Sequence, residues 1–203
     1  MNPPMSSPMS EPRRTVHPIE AESYRILRAR VDTAGLPPLT RAVVERVVHA
    51  SADPRYVTDL VTDEAALRAG HAALHRDRAP IVADVAMVAA GITRRAALCR
   101  LDRAVAGPGT TRAAHAVRLA HAEVGPGAVW VIGCAPTALF ELIAVEAEPA
   151  LVIGLPVGFV GAAESKAALR DSGLPAVSNR SEKGGSAVAA AAVNALLYTE
   201  ELP

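Results

Sequence analysis

Two rhythms of apolar and polar positions divide the chain. In the first third, apolar residues recur at helical spacing. Ile26, Leu27 and Val31 predict a helix over about Ile19 to Val31, stopped by the GLPP break at Gly35 to Pro38. Val43, Val44, Val47 and Val48 share one side of a second helix, about Thr40 to Ala50, and a third spans about Asp63 to Arg76. The rhythm then changes. Short β-rich runs predict strands at Pro80 to Val85, Ala97 to Leu101, Ala128 to Gly133, Ala150 to Gly154 and Pro175 to Ser178. Between and after them lie helical stretches at Thr110 to Glu123, Thr137 to Ala147, Ala162 to Asp171 and Ser186 to Tyr198. This alternation predicts a parallel sheet covered by helices. Uninterrupted apolar runs such as VWVIG and LVIG fit strands buried on both faces. Residues 1–16 are rich in Pro and Ser without periodicity, and a disordered tail is expected there. Residues 17–203 are expected to form one domain.

Composition narrows the classes. Half of the 203 residues are hydrophobic but only 3% are aromatic, so the core is built mainly from alanine and valine. With 21 basic and 21 acidic residues the formal charge is zero, and no global field attracts nucleic acid or an anionic membrane. Gly and Pro interrupt the longest apolar stretches before they reach membrane thickness. Prolines occupy the start of the chain where a signal peptide needs an apolar run. The two cysteines, Cys99 and Cys134, form no CxxC or Cys/His ligand pattern. A cytoplasmic protein without nucleic-acid or membrane partners is the expectation.

Ligands of parallel sheets bind outside the carboxyl ends of the strands, so the segments that follow the strands carry the candidate chemistry. After VWVIG comes Cys134-Ala-Pro136-Thr137, with Pro136 suited to a first helical turn. After LVIG comes a loop in which Gly158 and Gly161 permit close approach or positive φ. After the last strand, Lys183, Gly184 and Gly185 precede Ser186, a candidate N-cap. Three helix N-termini on one rim suit a carboxylate or phosphate; ordinary turns and caps are the alternative reading. No GxGxxG, P-loop or GxSxG pattern occurs. His71 and His75 stand at i, i+4, where a solvated face is favoured over a metal site. His115 and His121 read as surface residues. His49 ends the valine-rich helix, either as a helix-end residue or as a functional one. Arg112, in Thr111-Arg112, suits a bidentate carboxylate contact or simple exposure. Lys166 reads as exposed or helix-pairing, and Lys183 as able to reach an anion.

Together these segments resemble the precorrin-8X methylmutase family. The resemblance rests on APTALF (Ala135 to Phe140), PVGFVGAAESK (Pro156 to Lys166), GGS (Gly184 to Ser186), Met87 to Arg94, Thr111-Arg112, Val48-His49-Ala50, and Ile19, Ser23 and Tyr24. It covers about residues 18–198. Cys134 stands where the family usually has Asn, and Ser51-Ala52 where it has Cys-Gly. The resemblance implies a three-layer α/β/α Rossmann-like domain with a mainly parallel five-stranded sheet and N-terminal helices. It further implies a homodimer with active sites near the interface, no cofactor and no metal. The activity implied is migration of a methyl group from C-11 to C-12 of precorrin-8X or its cobalt form. His49 takes the place of the catalytic histidine, donating a proton or hydrogen bond to a ring nitrogen. Ser23, Tyr24, Met87, Thr93, Arg94, Thr111, Arg112, Pro136, Thr137, Gly158, Phe159, Lys183, Gly184, Gly185 and Ser186 take the places of substrate-binding residues. A tetrapyrrole carrier without turnover is the alternative.

Overall fold

The computed structural model describes residues 17–199; the proposed tail at 1–16 lies outside them, as do residues 200–203. Three helices lead the chain: α1 (Pro18–Arg30), α2 (Pro38–Ser51) and the single turn α3 (Tyr56–Asp59). The remaining elements are β1 (Leu60–Val61), α4 (Glu64–His75), β2 (Ile81–Ala83), α5 (Ala86–Gly91), α6 (Arg112–Val124), β3 (Val129–Ile132), α7 (Pro136–Ala144), β4 (Leu151–Gly154), α8 (Ala162–Asp171), β5 (Ala176–Asn179) and α9 (Ser186–Tyr198).

The sheet has five strands in the order β1-β5-β4-β3-β2. β2 through β5 are parallel neighbours, and β1 pairs antiparallel with β5. Side-chain alternation explains the uninterrupted apolar runs. Val129, Val131, Leu151 and Ile153 belong to one core with α2, α4, α5 and α9. Trp130, Ile132 and Val152 belong to a second core with α6, α7 and α8. The result is the expected three-layer α/β/α arrangement. Each strand from β2 to β5 lies beside its successor, and α6, α7 and α8 from the connections between them share one face. The other face carries α2, α4, α5 and α9.

One of the five strands differs from expectation. Ala97 to Leu101 is not a strand: Leu98 alone makes a parallel bridge to Val82, accepting from Ala83 N–H and donating to the Ile81 carbonyl. The chain then turns at Leu101, and Arg100 leaves the edge to pair with Glu123. The fifth strand is instead the two-residue β1, too short to show a period in the sequence.

The two histidines of α4 also differ from the expected solvated face. His71 is buried, its Nε2 lies 2.6 Å from the Thr199 carbonyl, and His75 Nε2 lies 3.0 Å from the Leu196 carbonyl. Their rings sit 4.3 Å apart and tie α4 to the end of α9.

Candidate active site

α2 runs two residues past His49 and ends at Ala52, whose φ of 54° turns the chain back toward the sheet. His49 is exposed at this end, and α1 builds its surroundings. Ser23 Oγ lies 2.9 Å from His49 Nδ1. Tyr24 stacks on the imidazole with centroids 4.9 Å apart and planes within 10°. The Arg28 guanidinium also lies over the Tyr24 ring, 5.6 Å from its centroid. These contacts fix both the tilt of the imidazole and the partner of one ring nitrogen. His49 Nε2 has no hydrogen-bond partner among the described residues. A cavity of about 120 Å³ opens here, lined by Ser23, Ile26, Arg30, Val48, His49 and Pro54 among others.

Glu45, one helical turn before His49, holds α1 in place. Its buried carboxylate accepts from Arg28, Thr33 and Arg41 at 2.6–3.2 Å. Burial alone would disfavour its charge, but these donors outweigh that and hold its pKa at about 2. Asp53, just past the αL residue, forms a 2.8 Å salt bridge with Lys183. Hydrogen bonds from Arg55 and then Lys183 hold Asp53 well below the usual carboxylate range. The salt bridge joins the end of the His49 helix to the loop after β5.

That loop meets the loop after β4 at Gly184. Its Cα passes so close that an added Cβ would lie 2.2 Å from the Leu155 carbonyl oxygen, and its φ is 159°. Gly185 N–H donates to Leu155 and Gly158 N–H to Glu182. Gly185, not Ser186, is the N-cap of α9; Ser186 is its first helical residue. Gly161, at φ 79°, is the N-cap of α8. Phe159 is 96% exposed at the tip of the β4 loop.

The remaining expected residues fall into separate groups. Thr93 Oγ1 lies 3.0 Å from the Tyr198 hydroxyl, and Arg94 lies over the same ring. Thr111 caps α6 and its hydroxyl meets that of Thr137, 2.8 Å away, while Pro136 opens α7. Arg112 donates to the Leu101 carbonyl and is exposed. Met87 is exposed in the first turn of α5. Within one chain, then, Ser23, Tyr24 and His49 are brought together, Lys183 to Gly185 are linked to them through Asp53, and the rest are not in direct contact with His49.

Two buried groups were missed. Asp84, at the end of β2, accepts backbone N–H bonds from Gly133, Cys134 and Ala135 at 2.8–3.1 Å, fixing the loop that leads into α7. Burial pushes its pKa up in spite of these donors. Lys166, expected to be exposed or helix-pairing, is instead fully buried and bonded to loop carbonyls and Asn179. A signal for it was present: Ala162, Ser165, Lys166 and Leu169 follow the i, i+3, i+4, i+7 pattern of a core-facing stripe, and all four are buried.

Fold and candidate site together define an α/β protein with an oriented histidine at the end of α2, joined through Asp53 and Lys183 to a loop at the carboxyl rim of its sheet. The precorrin-8X methylmutase family profile matches residues 18–199. The chain is 44% identical to a precorrin-8X methylmutase of Pseudomonas aeruginosa, over 90% of this chain and 95% of the relative. It is 41% identical to a cobalt-precorrin-8 methylmutase of Salmonella typhimurium, over 89% and 93%. A crystal structure of precorrin-8X methylmutase from Thermus thermophilus superposes with a TM-score of 0.80 at 34% identity, covering 90% of this chain and 97% of that one. The chain belongs to the precorrin-8X methylmutase family, and is an intramolecular methyl-shifting isomerase of corrin biosynthesis.

Proposed function

We propose that the chain moves a methyl group from C-11 to C-12 of precorrin-8X or cobalt-precorrin-8, with His49 as proton or hydrogen-bond donor to a ring nitrogen. The observation that carries this reading is an exposed imidazole held at Nδ1 by Ser23 and across its face by Tyr24, with Nε2 unengaged among the described residues. When Ser23 donates to Nδ1, the neutral ring keeps its proton on Nε2, which is the tautomer the reaction needs. A methyl shift requires no nucleophile and no electron carrier; it requires a fixed macrocycle and a biased electron distribution. Proton donation of this kind contributes roughly 10²–10⁴ in rate.

The substrate carries acetate and propionate carboxylates. Arg30 and Lys183 near His49 and Arg94 and Arg112 further along are cations of the kind that hold them. Thr93, Thr111 and Thr137 offer hydroxyls. Pro136, Gly158, Phe159, Met87 and the Gly184-Gly185-Ser186 turn offer apolar or close-approach surface to the ring. The 120 Å³ cavity at His49 is well below the ~300–1,000 Å³ of pockets that enclose drug-sized ligands. A single chain therefore encloses only a fraction of the macrocycle, which supports a homodimer whose second copy completes the site. Exposed Met87, Val157, Phe159 and Val160 supply apolar surface for that contact. The family match over 18–199 supports reading residues 17–203 as one methylmutase domain. No helix among the described residues is long and apolar enough to cross a membrane. Both cysteines are free thiols, which fits the cytoplasm.

The test is incubation of the purified protein with precorrin-8X and separately with its cobalt form. Appearance of the methyl-shifted corrin spectrum with either one supports the reading. Tight pigment binding with no spectral conversion of either would replace it with the carrier.

A further inference from the structure

A lysine with no exposed surface is an unusual core residue. Among the described residues, no carboxylate lies within bonding distance of the Lys166 ammonium. Its three N–H donors are shared among four acceptors within 3.1 Å: the carbonyls of Pro156, Ser181 and Lys183 and the Asn179 Oδ1. Asp59 stands one layer further out, accepting from Asn179 Nδ2 at 2.8 Å and from the Ser181 hydroxyl at 2.6 Å. Burying an ammonium costs several kcal/mol before its hydrogen bonds are counted. An apolar side chain would fill the same space at lower cost, but it would not hold three carbonyls that converge from two loops. Those loops follow β4 and β5. One carries the exposed Phe159 and Val160; the other carries Lys183, whose ammonium reaches Asp53 four residues beyond His49. The chain of contact thus runs from Lys166 to the Lys183 main chain, through the Lys183 side chain, to the end of α2.

We propose that Lys166 is a positioning residue for the methyl shift: its buried ammonium ties the two loops into one rim and sets the backbone from which Lys183 braces the His49 helix. The role rests on the proposed function for its kinetic consequence but not for its structural one.

The experiment is a double-mutant cycle of Lys166→Met and Lys183→Met, read by kcat and KM on precorrin-8X and by hydrogen exchange at residues 50–54 and 181–185. The expected result is that Lys166→Met keeps the parent's circular dichroism and lowers kcat/KM at least tenfold. In the Lys183→Met background the same change lowers it less than threefold, because the brace is already gone. Both single variants lose exchange protection at 50–54. Equal factors in the two backgrounds, a kcat/KM within twofold of the parent, or unchanged protection at 50–54 would overturn the role. If Lys166→Met does not fold, Lys166→Gln, which keeps two N–H donors, is judged by the same criteria; failure of both to fold reduces Lys166 to a folding residue and also overturns it. A parent protein that converts no precorrin-8X defeats the functional reading, while the exchange arm still decides the brace.

Discussion

Glu45 shows how much one side chain organises at this site. It joins α1, the α1–α2 loop and α2 through Arg28, Thr33 and Arg41, and so brings Ser23 and Tyr24 to His49. Its folded pKa of about 2 lies below its ordinary value of 4.5, so the folded state binds fewer protons than the unfolded state between these values. Its contribution is therefore complete above about pH 4.5 and is lost as the pH falls toward 2. Glu45→Gln is expected to cost roughly 2–3 kcal/mol at neutral pH and to flatten the acid limb of the stability curve, both read by urea unfolding across pH. The place of His49 near the end of a valine-rich helix was legible in the sequence, but the residues alone left it as a helix-end or a functional histidine, and only the family resemblance singles it out. Lys166 was not legible, because a lysine on an Ala-rich helix looks like a solvated residue unless the stripe it occupies is counted. Its four acceptors come from residues 10 to 17 positions away and from different loops, a convergence that local spacing does not encode.

At the scale of elements, the hydrophobic pattern located all the long helices to within a few residues, from the apolar stripes of α2, α4 and α6 to the continuously apolar α9. It failed where structure is made by partners instead of pattern. β1 has two residues and exists because β5 offers an edge. The run at Ala97 to Leu101 has strand-like composition but only Leu98 finds a partner. α2 ends in a way that sequence makes costly: Ala52 adopts φ 54°, a left-handed conformation that penalises any side chain by roughly 1–2 kcal/mol. The family resemblance implies glycine at this position. Ala52→Gly is accordingly expected to stabilise the protein by up to about 1 kcal/mol, a rise of a few degrees in the thermal midpoint. An unchanged or lowered midpoint would mean that the turn gains something from the methyl group that offsets the backbone cost.

Across the whole molecule, the topology decides where a ligand fits. The strand order never reverses among the parallel strands, so there is no internal switch-point crevice of the kind that binds nucleotides in doubly wound sheets. The proposed site draws instead on the helical layer, with His49 on α2, and on the loops at the carboxyl rim. This leaves the expected site residues spread over the surface of the single chain, which also exposes Val157, Phe159 and Val160. A second copy packed there would bring separated groups to one macrocycle. If the proposed homodimer packs there, Val160→Glu weakens its association at least tenfold by sedimentation equilibrium while leaving the monomer folded; a parent protein that stays monomeric, or undiminished association of the variant, would contradict that proposal. The account as a whole stands on the imidazole of His49. The most direct measurement is single-turnover conversion of precorrin-8X by the His49→Ala variant, alongside its substrate affinity by absorbance titration. The account predicts binding within a few-fold of the parent and a rate lower by about 10²–10⁴. A near-parental rate with His49 absent would contradict it.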